Sequence, residues 1–152
     1  MLKKLIASSL LASSLIITGC QTTPPPADTI EMANIQQLQQ RTWILTQIGN
    51  TEIKTAPNER NIPSLQFSAD NRISGADGCN RIMGSYTVGR DTLTLSQLAT
   101  TRMACINNSA VPQQFQEALA KVTHYQVFGK TLKLLDRHGN LLLQFGSAIQ
   151  PR

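Results

Sequence analysis

Residues 124–145 read HYQVFGKTLKLLDRHGNLLLQF. Three runs rich in apolar residues, His124–Phe128, Thr131–Leu135 and Asn140–Phe145, are separated by Gly129-Lys130 and by Arg137-His138-Gly139-Asn140. Connectors this short, each carrying a glycine, join neighbouring antiparallel strands, so the stretch predicts a three-stranded meander.

Further strands lie upstream. Thr42–Ile48 (TWILTQI) is β-branched and aromatic and stops at Gly49-Asn50; its Trp43 reads as a core anchor rather than an exposed binding aromatic. Ser64–Ser68 (SLQFS) puts Leu65 and Phe67 on one face, and Ile82–Val88 and Thr92–Ser96 flank a hairpin signal, Gly89-Arg90-Asp91. One segment has a different period. In Val111–Val122 (VPQQFQEALAKV), Val111, Phe115, Ala118, Leu119 and Val122 form the stripe of an amphipathic helix, with Pro112 tolerated in its first turn and Asn108 or Ser109 available as a cap. The expected fold is mainly β with one α-helix (α+β). Seven or eight short strands form an antiparallel, partly open β-barrel-like sheet with the amphipathic helix packed on it, in one domain over 41–148.

The chain opens MLKKLIASSLLASSLIITGC: two lysines, then an apolar and serine-rich run too short for a comfortable membrane span. This is the layout of a secretory signal peptide, and Ile17-Thr18-Gly19-Cys20 resembles the lipobox of bacterial lipoproteins. The resemblance implies removal of residues 1–19 and acyl chains, palmitate among them, on Cys20; the alternative is an ordinary signal peptide with a chance cysteine. Gln21, standing where an aspartate marks inner-membrane retention, favours the outer membrane, with the domain facing the periplasm. Residues 20–40, with three consecutive prolines, read as lipidated cysteine and tether, with a helical turn or two from Ile30 to Gln40.

Two cysteines remain, Cys79 and Cys105. In an oxidising compartment an even pair in a small exported domain favours a disulfide, worth roughly 3–4 kcal/mol for a loop of this length. Two reduced thiols, or a nucleophile with a base brought close by the fold, stay open at this stage. The only histidines, His124 and His138, lie in no ligand-spaced motif, so neither a metal nor a cofactor is expected. Gly75, Gly78 and Gly84 read as turn or bulge positions with positive φ, since no phosphate-binding GxxxxGK[ST] motif accompanies them. Without Lys3 and Lys4, the chain's 14 Lys and Arg exceed its 9 Asp and Glu by only three, and they are dispersed. Nucleic acid is therefore not an expected partner.

Trp43, Leu45 and Gly49, then Phe67, Ile73-Ser74-Gly75, Gly78-Cys79-Asn80-Arg81, Gly84 and Tyr86, and then Thr101-Arg102-Met103-Ala104-Cys105 occur in the order of the META domain. The helix with Phe115 and Leu119 and the closing strands continue the match, so residues 40–146 resemble that family, which includes heat-inducible HslJ-type lipoproteins. The resemblance implies a helix-containing, barrel-like fold, similar to the cracked barrel of pilot lipoproteins of secretion systems. It carries no agreed catalytic residue, substrate or cofactor.

Three functions are open to such a chain. It can be a non-catalytic envelope protein that supports membrane integrity or stress tolerance through protein contacts. It can be a module that holds a lipid or other apolar ligand in the barrel or in a cleft between helix and sheet. An enzyme is the third, but Asp70 and Asp77 sit on turns and Ser74 and Ser85 lack a nucleophile-elbow context, so no catalytic set is expected. Asn80, Arg81, Thr101 and Arg102 are the candidate surface recognition residues, for a protein partner or an anionic head group. Their structural reading has Asn80 bonding turn backbone, with the arginines satisfying carbonyls or pairing with Asp70 or Asp77.

Overall fold

The structure is a computed structural model and describes residues 24, 26–39, 41–55, 60–105 and 109–147. Helix α1 (Ala27–Gln39) is followed by β1 (Thr42–Ile48), β2 (Thr51–Glu52), β3 (Ser64–Phe67), β4 (Arg72–Ala76), β5 (Arg81–Val88) and β6 (Leu93–Thr100). Helix α2 (Val111–Leu119) then leads to the meander β7 (His124–Phe128), β8 (Thr131–Leu135) and β9 (Leu141–Ser147).

All strand pairs are antiparallel, in the order β6-β5-β4-β3-β1-β9-β8-β7, with the short β2 paired to β1. The sheet curls until its two edge strands touch. Thr92 bridges His124, Leu93 N–H donates to the Thr123 carbonyl at 3.0 Å, and Tyr125 N–H donates to Asp91 at 2.9 Å. The Tyr125 hydroxyl also reaches Gly89 at 3.0 Å, and burial pushes its pKa up to about 12. Beyond this seam the edges part, so closure is partial.

The period-two strands bury one face each: Trp43 and Leu45, Leu65 and Phe67, Ile82 and Tyr86, Leu132 and Leu134, Leu143 and Phe145. Phe115, Ala118 and Leu119 of α2, with Val122 just past its end, close over them, and Phe115 meets Phe145 edge-on at 6.1 Å. Trp43 is fully buried. Residue 108 lies outside the described residues, and the position next to α2 is Ala110, without a side-chain cap; Ser109 Oγ accepts from Val111 N–H at 3.2 Å.

Three features differ from the sequence reading. The described residues form two helices, the helical turn or two expected from Ile30 to Gln40 being a full helix, α1. α1 lacks an apolar stripe and buries only Leu38, yet Leu38 is completely enclosed and its carbonyl accepts the Trp43 indole N–H at 2.9 Å. Strand β4 has no clear strand signal in sequence, because Arg72–Ala76 ends in small residues. Gly75 is required there: a Cβ would come within 2.0 Å of the Ser64 carbonyl oxygen. Of the three glycines expected at positive φ, only Gly78 has it, at +102°. Gly84 instead lies at the register shift between Met83 and Ser85, where a Cβ would meet β6 backbone at 2.9 Å.

Candidate functional site

The turn from β4 to β5 is built on Asp77, the one charged side chain buried among the described residues. Its Oδ1 accepts the amides of Cys79 at 2.9 Å and Asn80 at 2.6 Å, an Asx turn that lets the chain reverse within Asp77–Asn80. Its Oδ2 accepts from the Asn80 side chain at 3.3 Å and from Gln116 of α2 at 2.5 Å. One carboxylate therefore ties the turn to the helix. Gly78 supplies the positive φ, packed under Pro63.

A second segment, Thr101–Cys105, lies beside this turn after β6 ends. Arg81 N–H donates to Thr101 Oγ1 at 2.9 Å, and Thr101 N–H donates to the Arg81 carbonyl at 3.0 Å. Asn80 Oδ1 accepts from Met103 N–H at 2.9 Å. Cys79 is disulfide-bonded to Cys105, with Cα atoms 5.8 Å apart. From the other side, Asn61, at φ +56°, donates its side-chain amide to the Cys79 carbonyl at 2.8 Å.

These bonds divide the four candidate recognition residues. Asn80 and Thr101 spend their polar atoms on the corner itself. Arg81 and Arg102 are exposed. The expected pairing of these arginines with Asp70 or Asp77 is not what the structure has: Asp77 is enclosed by amides, and Asp70 faces Arg72 at 3.9 Å. The structure adds neighbours that the sequence did not single out. Met103 is 56% exposed, and an open groove of about 330 Å³ runs between Arg60, Asn61, Gly78, Met103 and the disulfide. Asn61 also borders a second groove, of about 430 Å³, on the outer face of β3–β5, lined by Ser74, Arg81 and the 60% exposed Met83. The corner thus presents guanidinium groups and thioethers together, a soft apolar surface with fixed positive charge.

The remaining candidates are not assembled. His124 contacts Thr123 and His138 contacts Arg137, in separate parts of the fold. Ser85 donates to the Ser96 carbonyl on the outside of the sheet. Among the described residues no three His, Cys, Asp or Glu side chains are grouped to hold a metal. Cys20 lies outside the described residues.

The sequence matches the META domain over residues 36–149. The chain belongs to the META domain family. Solved structures share the fold of this META domain. An NMR structure of a protein from Burkholderia xenovorans matches with a TM-score of 0.59 at 23% identity, over 90% of this chain and 99% of that one. Another NMR structure matches with a TM-score of 0.58 at 25% identity, over 73% and 92%. A crystal structure of a DUF4847 family protein from Bacteroides vulgatus matches with a TM-score of 0.54 at 20% identity, over 75% and 96%. Among curated proteins none matches the sequence.

Asp77 is the residue on which the geometry of the corner rests. Asp77→Ala leaves two turn amides and Gln116 without their acceptor and is expected to cost about 1.5–3 kcal/mol, the range for bonds to a charged group. Asp77→Asn, which keeps one acceptor oxygen, should cost less. Urea unfolding of the two variants measures the difference; equal, negligible losses would remove Asp77 from this role.

Proposed function

We propose that this META-domain protein is a non-catalytic lipoprotein, held by Cys20 at the periplasmic face of the outer membrane. There it supports envelope integrity or stress tolerance by binding another envelope protein at the Cys79–Cys105 corner. The observation that carries the reading is the corner's construction. A disulfide, a buried carboxylate and two side-chain amides hold the backbone of both segments, and what they present outward is Met103 with Arg60, Arg81 and Arg102. Arginine is enriched at protein contacts, and methionine adapts to irregular partners.

A lipid in the barrel interior has less support. The inward positions are taken by Trp43, Phe67, Phe115, Phe145 and their aliphatic neighbours, and the grooves at the corner and on β3–β5 are open surface features.

Two experiments test the two halves. Cys20→Ser should move the protein from the membrane fraction to the soluble periplasm; retention in membranes would refute the anchor. Arg81→Glu with Arg102→Glu should leave the melting temperature within a few degrees, as exposed sites do. It should also abolish co-purification of the partner from detergent-solubilised envelopes. Unchanged co-purification would place the contact elsewhere.

A further inference from the structure

The β7–β8 hairpin turns at Gly129-Lys130, with Gly129 at φ +58°. Phe128 at its tip is 88% exposed, the most exposed of the large apolar side chains described. Isolated exposed apolar residues are common and carry little meaning alone. Here the charged side chains of the hairpin itself are of one sign, and the nearby carboxylates of Glu31 and Asp91 lie toward Tyr125, at the other end of β7. Lys130 follows in the turn, Lys133 stands exposed on β8, and Arg41 donates its guanidinium to the Gly129 carbonyl. Residues 124–135 contain no Asp or Glu. An aromatic ring bordered by cations, on a hairpin that carries no carboxylate, fits a boundary where hydrocarbon lies beneath anionic phosphates.

Chain connectivity permits the same partner. Arg41 comes two residues after the last residue of α1 and holds that end of the chain beside the hairpin tip. The 13 residues of α1 span about 20 Å at the helical rise. The segment from Cys20 to Ala27 adds at most about 25 Å when extended. A lipid on Cys20 and the Phe128 tip can therefore reach one bilayer together.

We propose that the Phe128–Lys130 tip is a second membrane contact, with Phe128 among the acyl chains and Lys130, Lys133 and Arg41 at the phosphates of an anionic bilayer. This rests on the anchorage at Cys20 proposed above. Two contacts hold the domain in one orientation, which a flexible tether alone cannot do. The same logic governs peripheral proteins, where one acyl chain is marginal and a basic patch supplies the second attachment.

The test uses the full-length chain carrying Phe128→Trp, purified from membranes. It is reconstituted into phosphatidylcholine–phosphatidylglycerol vesicles with plain or brominated acyl chains. Trp43, fully buried in the core, gives a constant background. Flotation with the vesicles, a blue shift and quenching of the added indole by brominated chains are expected, with quenching reduced by a further Lys130→Glu. Flotation with identical emission in plain and brominated vesicles overturns the proposal while leaving the anchor intact. An indole unquenched in vesicles yet shielded in native membranes marks a protein contact and also overturns it. Protein that does not float at all overturns the anchor, and this proposal falls with it.

Discussion

Trp43→Ala is expected to lower stability by about 3–5 kcal/mol, the usual cost of truncating a fully buried large aromatic side chain. For a domain of this size that is a large part of the 5–15 kcal/mol available. Two losses combine. The indole is wholly enclosed in the central strand β1, so its removal opens a cavity among neighbours held by both adjoining strands. Its N–H also donates to the Leu38 carbonyl at the end of α1, and without it that buried acceptor loses its partner. Trp43→Phe separates the two. It keeps most of the volume, should cost clearly less, and should raise amide exchange in α1 more than in β8 and β9. A Trp43→Ala loss under about 1 kcal/mol would contradict the placement of Trp43 as the core's anchor.

Cys105→Ser is expected to cost about 2–5 kcal/mol, as loss of a native disulfide does in small exported domains. The variant is informative because Cys105 is exposed while Cys79 is buried, so replacing Cys105 leaves no cavity and the loss reports the cross-link itself. Reduced unaltered protein should match the variant, and exchange should rise first at residues 78–81 and 101–105. Two thiols that titrate freely in the unfolded, unreduced protein would falsify the pairing.

The parts of this fold that sequence exposes are those in which one chain segment carries its own signal. The α2 stripe from Phe115 to Val122 and the alternation in Ser64–Phe67 and Thr131–Leu135 each announce a buried face. α1 shows in sequence only as a helical turn or two at the end of a tether, because its burial depends on one residue, Leu38, and on an indole that comes five positions later. β4 was hidden because Gly75 looks like a turn residue, whereas its use is the close approach of β3 backbone. At the corner, the cysteines, Asn80 and Thr101 stand out in sequence. Asp77 reads in sequence as a turn carboxylate or an arginine partner, although an aspartate two residues before Cys79 is also an Asx-turn signal. Its bond to Gln116 joins residues 39 positions apart and has no local trace. Met103 stands in the Thr101–Cys105 run, but its exposure is set by how Asn80 fixes the backbone of that loop and has no local signal.

The claim that this corner binds an envelope protein is tested most directly by photo-cross-linking in intact cells, with benzoylphenylalanine in place of Met103. Lys121, exposed just past α2, serves as the control position. One discrete adduct is expected from position 103, absent from position 121 and lost when Arg81→Glu and Arg102→Glu are added. No adduct at position 103, or the same adducts at both positions, would contradict it.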